Sequence, residues 1–299
     1  MRVDPNYISN LAAALTQSTG QENMLTSELS SGLRVASLSD GPVAAAQSML
    51  LGSSIAKDDT FVQTASNEAS RMQVTDSTLG EVVTQITSAL STAVSGNNGT
   101  LNAANLADIA QTLSGVRDQV LSLANTSYQG QYLFGGSQGS TLPFTLDTST
   151  TPATAVYNGD ANVQYIQTPS GQQIQVNLPG SAVFGSAGSG VLGALNQLIS
   201  DFSGGATTAA LTADTGALTT ALGQLSSQRS TLDSALSRLQ ATSTYTQTEE
   251  SQLKVAQSGL VSADPAAVAT QLSQAEVQHQ ALLSVINSLG SVNLFSLMK

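Results

Sequence analysis

Residues 264–298 read DPAAVATQLSQAEVQHQALLSVINSLGSVNLFSLM, and this stretch decides how the chain is organised. Asp264 and Pro265 suit a helix start, because an Asp side chain accepts from free backbone N–H groups and Pro fits the first helical position. Apolar residues then recur at spacings of three and four, which predicts one narrow helical stripe. The stripe consists of Val268, Leu272, Ala275, His279, Leu282, Ile286 and Leu289. Ser, Gln, Glu and Ala are predicted to fill the other faces.

A stripe this narrow is typical of a coiled coil and requires a partner helix. The N-terminal end carries a matching stripe in which Ser18 and Glu22 are polar interruptions. We expect the two terminal helices to pair and, because a thin pair is marginal alone, to associate with further copies of the chain. The predicted assembly seam comprises Ile8, Leu11, Leu15, Leu25, Leu29, Leu272, His279, Leu282, Ile286 and Leu289.

Long periodic segments fill most of the remaining chain. Apolar spacing predicts helices over 55–93, 106–123, 191–202 and 218–260, with short breaks that favour antiparallel packing. Residues 128–184 differ, because they hold most of the aromatic residues and frequent Gly, Pro and Thr. Strands are predicted at 156–157, 163–166 and 174–178, with Asn158-Gly159 as a hairpin turn between the first two and residues 169–171 turning into the third.

The predicted fold is therefore mainly α: an elongated antiparallel coiled-coil rod of long helices, with paired terminal helices and a small inserted antiparallel β domain. Three parts are predicted. Residues 1–42 with 261–299 form a terminal helical coiled-coil assembly domain, residues 43–137 with 185–260 form a helical rod domain, and residues 138–184 form a small β-rich outer domain.

The composition excludes several classes of function. Charged residues make up 10% of the chain and the net charge is −11, whereas phosphate binding requires clustered Lys and Arg, so we expect no nucleic-acid partner. No run approaches the roughly 18 apolar residues of a membrane span, and the N-terminus has no apolar core of signal-peptide length. There is no Cys, so thiolate metal sites and disulfides are excluded.

The sequence also shows no group of residues typical of a catalytic site. The chain has one histidine, His279, and its seam position favours a buried or interface role over that of a catalytic base. Asn158–Asn162 begins like a calcium-binding loop, but Val163 and Pro169 stand where that loop requires Gly and Glu. We therefore predict no enzyme activity, no cofactor and no metal.

Two terminal motifs resemble a known family. The segments Leu29–Val35 and Ser39–Ala46 resemble the N-terminal signature of bacterial flagellins, and Asp264–Leu297 resembles the flagellin C-terminal helix. In the middle, Tyr132–Gly136, Tyr157–Asp160 and Asn177–Gly180 are similar to the hook-associated members of the family, which join flagellar hook to filament.

The resemblance implies a structural protein of the bacterial flagellum, extracellular and exported unfolded through the flagellar type III apparatus without a cleavable signal peptide. It implies self-association in a ring, contact with another hook-associated protein and with flagellin, and a cytoplasmic export chaperone on the C-terminal helix. Two alternatives stay open: a short filament flagellin, and a secreted coiled-coil adhesin or type III effector.

Overall fold

Long helices dominate the computed structural model, which describes residues 5–186 and 188–297, with side-chain surroundings described for residues 9–186 and 188–288. The chain divides into two compact units. We call Met1–Ala56 with Glu249–Lys299 the terminal unit, and Lys57–Thr248 the central unit. The unit boundaries fall within two long helices, and the division into three domains stays a prediction.

Seven helices lie in the described part of the chain. They are α1 (Pro5–Ser31), α2 (Pro42–Gly96), α3 (Ala103–Ala124), α4 (Gly180–Val183), α5 (Gly190–Gly204), α6 (Thr208–Val261) and α7 (Pro265–Leu297). Their ends follow from local chemistry. The Asn102 side chain accepts from Asn105 N at 2.9 Å to cap α3, and Gly205, with φ of 68°, ends α5 in the left-handed conformation that favours glycine. The predicted helical segments are confirmed.

A heptad repeat builds the helical core of the central unit. On α2, fully buried residues recur every seventh position, and α6 repeats the same spacing. The two series are Ala65, Met72, Leu79, Ile86 and Ala93 on α2 and Leu218, Leu225, Leu232 and Leu239 on α6. A seven-residue period keeps one face turned to a partner helix, as in coiled coils. The Arg229 guanidinium of α6 donates to both carboxylate oxygens of Asp76 on α2, from Nε to Oδ1 at 2.6 Å and from Nη2 to Oδ2 at 3.1 Å.

Three short antiparallel strand pairs lie between α3 and α4. They are β1 (Ser127–Tyr128) with β2 (Gln131–Tyr132), β3 (Phe144–Asp147) with β4 (Thr154–Tyr157), and β5 (Tyr165–Gln167) with β6 (Gln173–Gln175). The β5–β6 pair and its turn at 169–171 agree with the sequence prediction. The mainly α fold with small antiparallel strand pairs in an insert is likewise confirmed.

The predicted hairpin at Asn158-Gly159 is wrong. Val156 and Tyr157 pair with the preceding strand β3, in which Phe144 lies opposite Tyr157. Two contacts with sequence-distant residues hold the end of β4 away from such a hairpin: Asn158 N donates to Pro143 O at 2.7 Å, and the Tyr157 hydroxyl donates to Phe134 O at 3.0 Å. These contacts outweigh the local turn preference of the Asn-Gly pair.

The aromatic residues of the insert do not form a separate core. Phe184 makes edge-to-face contacts with Phe134 and Phe144, with ring centroids 5.0 and 5.5 Å apart. All three rings belong to one continuous hydrophobic cluster with residues of α2, α3, α5 and α6. The strand pairs are therefore packed onto the helices of the central unit. No helix in the described residues is both long and apolar enough to cross a bilayer.

Candidate assembly surface

Helices α1 and α7 form an antiparallel pair with a very small core. Leu25 of α1 is buried against Val268 and Ala275 of α7, and Leu272 packs at the edge of this cluster. The pairing follows from the two apolar stripes, because each helix covers apolar side chains of the other that would otherwise face water. The predicted pairing of the terminal helices is thus present within one chain.

The segments that leave α1 and enter α7 are also tied together. Gly32, with φ of 69°, ends α1, and its carbonyl accepts from Ala263 N at 2.9 Å. Arg34 donates its backbone N–H to Val261 O at 2.8 Å and its guanidinium to Leu260 O at 2.9 Å. Asp264 then accepts from Ala266 N at 2.9 Å and caps α7, as the sequence predicts. These bonds place the start of α7 beside the end of α1.

The structure brings most of the predicted seam to the facing sides of α1 and α7. Leu25 is buried, and six further members are half-buried: Leu11, Leu15, Leu272, His279, Leu282 and Ile286. Leu29 departs from the pattern, because its side chain is 41% exposed while its neighbour Glu28 is half-buried. The side chains of Ile8 and Leu289 lie outside the described residues. The role of these residues in assembly stays a prediction.

A polar pair interrupts the apolar seam. The His279 Nδ1 atom lies 3.7 Å from Glu22 Oε1, across the interface between α7 and α1. Both side chains are 23% exposed, and the Nδ1 atom is buried without a hydrogen-bond partner in the described structure. The sole histidine therefore occupies the interface position that the sequence predicts.

Exposed apolar side chains concentrate on the terminal unit. Of the seventeen large apolar residues that are exposed in the described chain, eleven belong to this unit, although it is the smaller of the two. The eleven are Met24, Leu29, Leu33, Leu38, Val43, Met49, Leu50, Val255, Val277, Leu283 and Val285. Exposed apolar side chains mark protein-binding surfaces where they lie together, so this unit is the candidate for such a surface.

Helix α7 has a second apolar side, apart from the stripe that the sequence predicts. Val277 is 66% exposed, and a shallow groove farther along the helix is lined by Gln278, Ala281, Leu282 and Val285. The predicted polar composition of this side is therefore wrong. The spacing of Val277, Ala281 and Val285 is visible in the sequence, but these residues lie off the stripe that includes Leu272. Helix α7 presents apolar side chains both to α1 and away from it.

The first part of α2 adds an uncharged surface to the terminal unit. No charged residue occurs between Asp40 and Lys57, and Val43, Met49 and Leu50 are exposed there. The opposite side of this segment packs within the unit, where Gln257 Nε2 of α6 donates to Ser48 O at 2.9 Å. Burying an uncharged surface against another protein avoids the desolvation of ions, so this surface suits protein contact.

Neither terminal helix carries a Lys or Arg residue in its described range. The carboxylate side chains of α1 are Glu22 and Glu28, and α7 carries Glu276 and His279. The nearby turn contains Asp40, whose pKa is lowered because Ser37 and Ala36 donate hydrogen bonds to its carboxylate. Within the described residues, no cluster of three or more His, Cys, Asp or Glu side chains is placed to hold a metal ion. The surface is suited to packing.

Comparisons with known proteins match both ends of the chain to helical regions of one family. Residues 6–139 match the N-terminal helical region of bacterial flagellin, and residues 215–298 match the flagellin C-terminal helical region. The flagellar hook-associated protein 3 of Salmonella typhimurium is 30% identical over 181 residues, which is 60% of this chain and 55% of that protein. The chain thus matches little more than half of the length of this relative.

Solved structures share the fold. A putative flagellar hook-associated protein from Vibrio parahaemolyticus superposes with a TM-score of 0.66 at 18% identity, over 75% of this chain and all of the other. A flagellar junction protein from Legionella pneumophila superposes with a TM-score of 0.58 at 15% identity, over 73% of this chain and 99% of the other. At these identities the similarity concerns the fold.

Proposed function

Because the chain belongs to the bacterial flagellin family, we propose that it is a structural component of the flagellum that joins hook to filament by subunit–subunit packing. The observation that carries the proposal is the concentration of exposed apolar side chains on the terminal unit, where the N- and C-terminal flagellin regions meet. The role at the junction is supported by the relative named flagellar hook-associated protein 3 and by the fold shared with a flagellar junction protein.

The energetics favour association through the terminal helices. A fully buried Leu or Ile side chain contributes about 1.5–3 kcal/mol relative to an exposed one. Leu282 and Ile286 are only half-buried by α1, and Val277 and Val285 are exposed, so a neighbouring subunit gains free energy by covering them. The few charges on both helices keep the desolvation cost of that contact low.

The proposed partners follow from the same surface. Copies of this chain associate in a ring through the terminal unit, and the ring contacts another hook-associated protein on one side and flagellin on the other. A cytoplasmic chaperone covers the second apolar side of α7 before export, at Val277, Ala281 and Val285. The mature protein is extracellular, as part of the flagellum, and its export requires no cleavable signal peptide. The role is structural and not catalytic.

One pair of variants tests the proposal. Val277→Asp places a charge on the exposed side of α7, whereas the control Val94→Asp places the same charge on α2 in the central unit, at 60% exposure in the wild type compared with 66% for Val277. Both changes affect exposed positions, so we expect both variants to fold with wild-type helical content by circular dichroism.

The readout is incorporation into flagella and swimming in a strain that lacks its own copy of the gene. We expect Val277→Asp to abolish incorporation and Val94→Asp to retain it, with immunogold electron microscopy locating the protein between hook and filament. Wild-type incorporation of Val277→Asp would contradict the assembly surface. Labelling along the whole filament, together with salt-induced growth of long filaments from the purified protein, would instead favour a filament flagellin.

A further inference from the structure

We propose that Glu22 and His279 form a pH-dependent clamp across the terminal helix pair, which closes when the imidazole is protonated and loosens when it is neutral. The two residues belong to different terminal helices, and His279 Nδ1 lies 3.7 Å from Glu22 Oε1. This distance is longer than a hydrogen bond but short enough for an ion pair to form with little rearrangement.

Few charged residues occur on α1 and α7, and only one of them can become a cation. Glu22 and Glu28 are the carboxylate residues of α1, and α7 adds only Glu276 beside His279. His279 is therefore the one group on either helix that can acquire a positive charge. Histidine side chains ordinarily titrate near pH 6.5, whereas glutamates are ordinarily ionised well below that value. A protonated His279 is therefore a cation at a position that faces a carboxylate.

A ring nitrogen of His279 without a hydrogen-bond partner decides which protonation state stabilises the helix pair. His279 Nδ1 is buried and has no hydrogen-bond partner within the described structure. A buried polar nitrogen without a partner lowers stability, and protonation turns this nitrogen into a charged donor that the Glu22 carboxylate can accept from. The stabilisation is present when the imidazole is protonated and is lost when the imidazole is neutral.

The Glu22–His279 pair lies within the apolar seam of the terminal helices, so its opening affects assembly. The pair lies between the buried Leu25–Ala275 contact and the half-buried Leu282 and Ile286. When the clamp loosens, the apolar seam becomes more available to other subunits. This consequence rests on the proposed function, whereas the clamp itself is a property of the isolated monomer and can be tested separately.

Hydrogen exchange on the full-length monomer provides the test. We expect the protection factors of α1 and α7 amides to be about two- to fivefold higher at pH 5.5 than at pH 7.5, as for a partly exposed ion pair. Protection factors are corrected for the intrinsic pH dependence of exchange, so a difference reports the opening of the pair. Because the chain has a single histidine, its proton NMR titration can be followed in the same samples.

Four variants decide whether the pair is responsible. His279→Gln and Glu22→Gln should each abolish the pH difference, and Glu28→Gln, the matched control on α1, should keep it. The exchanged pair, Glu22→His with His279→Glu, should restore it. The proposal is overturned if the wild type shows no difference, if Glu22→Gln keeps it, or if the central-unit amides show the same change as α1 and α7.

Discussion

Replacing Asp214 by Asn should stabilise the central unit at neutral pH. Asp214 lies near the start of α6, and its carboxyl is close to that of Asp201 at the end of α5. Burial, followed by the hydrogen bond and the negative charge of Asp201, raises the pKa of Asp214 to about 6. Its Oδ2 atom is buried without a hydrogen-bond partner, and no Lys or Arg occurs between Arg117 and Arg229. The carboxyl pair therefore has no counter-ion from that stretch of chain.

The sign of the effect follows from proton binding. Because the pKa of Asp214 is raised by folding, the folded state binds more protons than the unfolded state between about pH 4 and pH 6, so stability falls as pH rises through this window. A shift from 3.8 to about 6 corresponds to an upper limit of about 3 kcal/mol. Asp214 is only partly buried, so solvent screening reduces the expected cost to about 1 kcal/mol.

The Asn side chain removes this cost, because it is neutral at every pH and its amide group can donate to the Asp201 carboxylate. At pH 7.5 we expect Asp214→Asn to raise the thermal midpoint of the central unit by about 2–4 °C, the shift that about 1 kcal/mol produces in a domain of this size. At pH 4.0 the wild-type carboxyl is protonated, so the two proteins should unfold at nearly the same temperature.

Calorimetry at the two pH values measures the difference, with Asp108→Asn on the exposed side of α3 as the control for lost net charge. Asp201→Asn should act in the same direction as Asp214→Asn, and the double variant should gain less than the sum because the two residues share one interaction. A midpoint lowered by Asp214→Asn at pH 7.5, or an equal gain from Asp108→Asn, would refute the reasoning.

Two further predictions concern the packing of the insert onto the helices. Arg117→Met should lower the free energy of unfolding by about 1–3 kcal/mol in chemical denaturation. The Arg117 side chain is only 6% exposed, and losing its guanidinium removes the donor to Ala153 O. The control Arg238→Met, at an exposed position, should change the free energy of unfolding very little. Phe184→Ala should cost about 3–5 kcal/mol in the same assay, because the Phe184 ring is fully buried. Tyr165→Ala, which removes an exposed ring, should cost under about 1 kcal/mol. Equal losses from the two variants would contradict the single shared core.

The helices could be predicted because their signals are local and repeated. Leu218, Leu225, Leu232 and Leu239 repeat at seven-residue intervals along α6, so a single reading of the sequence identifies both the helix and its buried face. The pairing of α1 with α7 was also predictable, since each end of the chain carries a stripe with no partner nearby in sequence.

The strand pairing could not be predicted by the same means. A β-turn preference at Asn158-Gly159 is a local property. The partner of β4 is instead decided by sequence-distant contacts: Phe144 packs against Tyr157, Asn158 N donates to Pro143 O, and the Tyr157 hydroxyl donates to Phe134 O. Such contacts depend on residues that the helical core brings together. The second side of α7 was missed for another reason: apolar side chains lie on several sides of that helix, so one stripe does not describe it.

The contrast between the two cores gives the physical argument for assembly. The central unit buries many large side chains completely, including four phenylalanines: Phe134, Phe144, Phe184 and Phe202. In the terminal helix pair, full burial is limited among the described residues to Leu25, Val268 and Ala275, of which one is large. Conformational entropy costs about 1–2 kcal/mol per ordered residue, so a helix pair whose described part buries so few large side chains gains little net stability from its own core. If the proposed assembly through the terminal unit is right, this helix pair should therefore gain more stability from contact with neighbouring subunits than the central unit does.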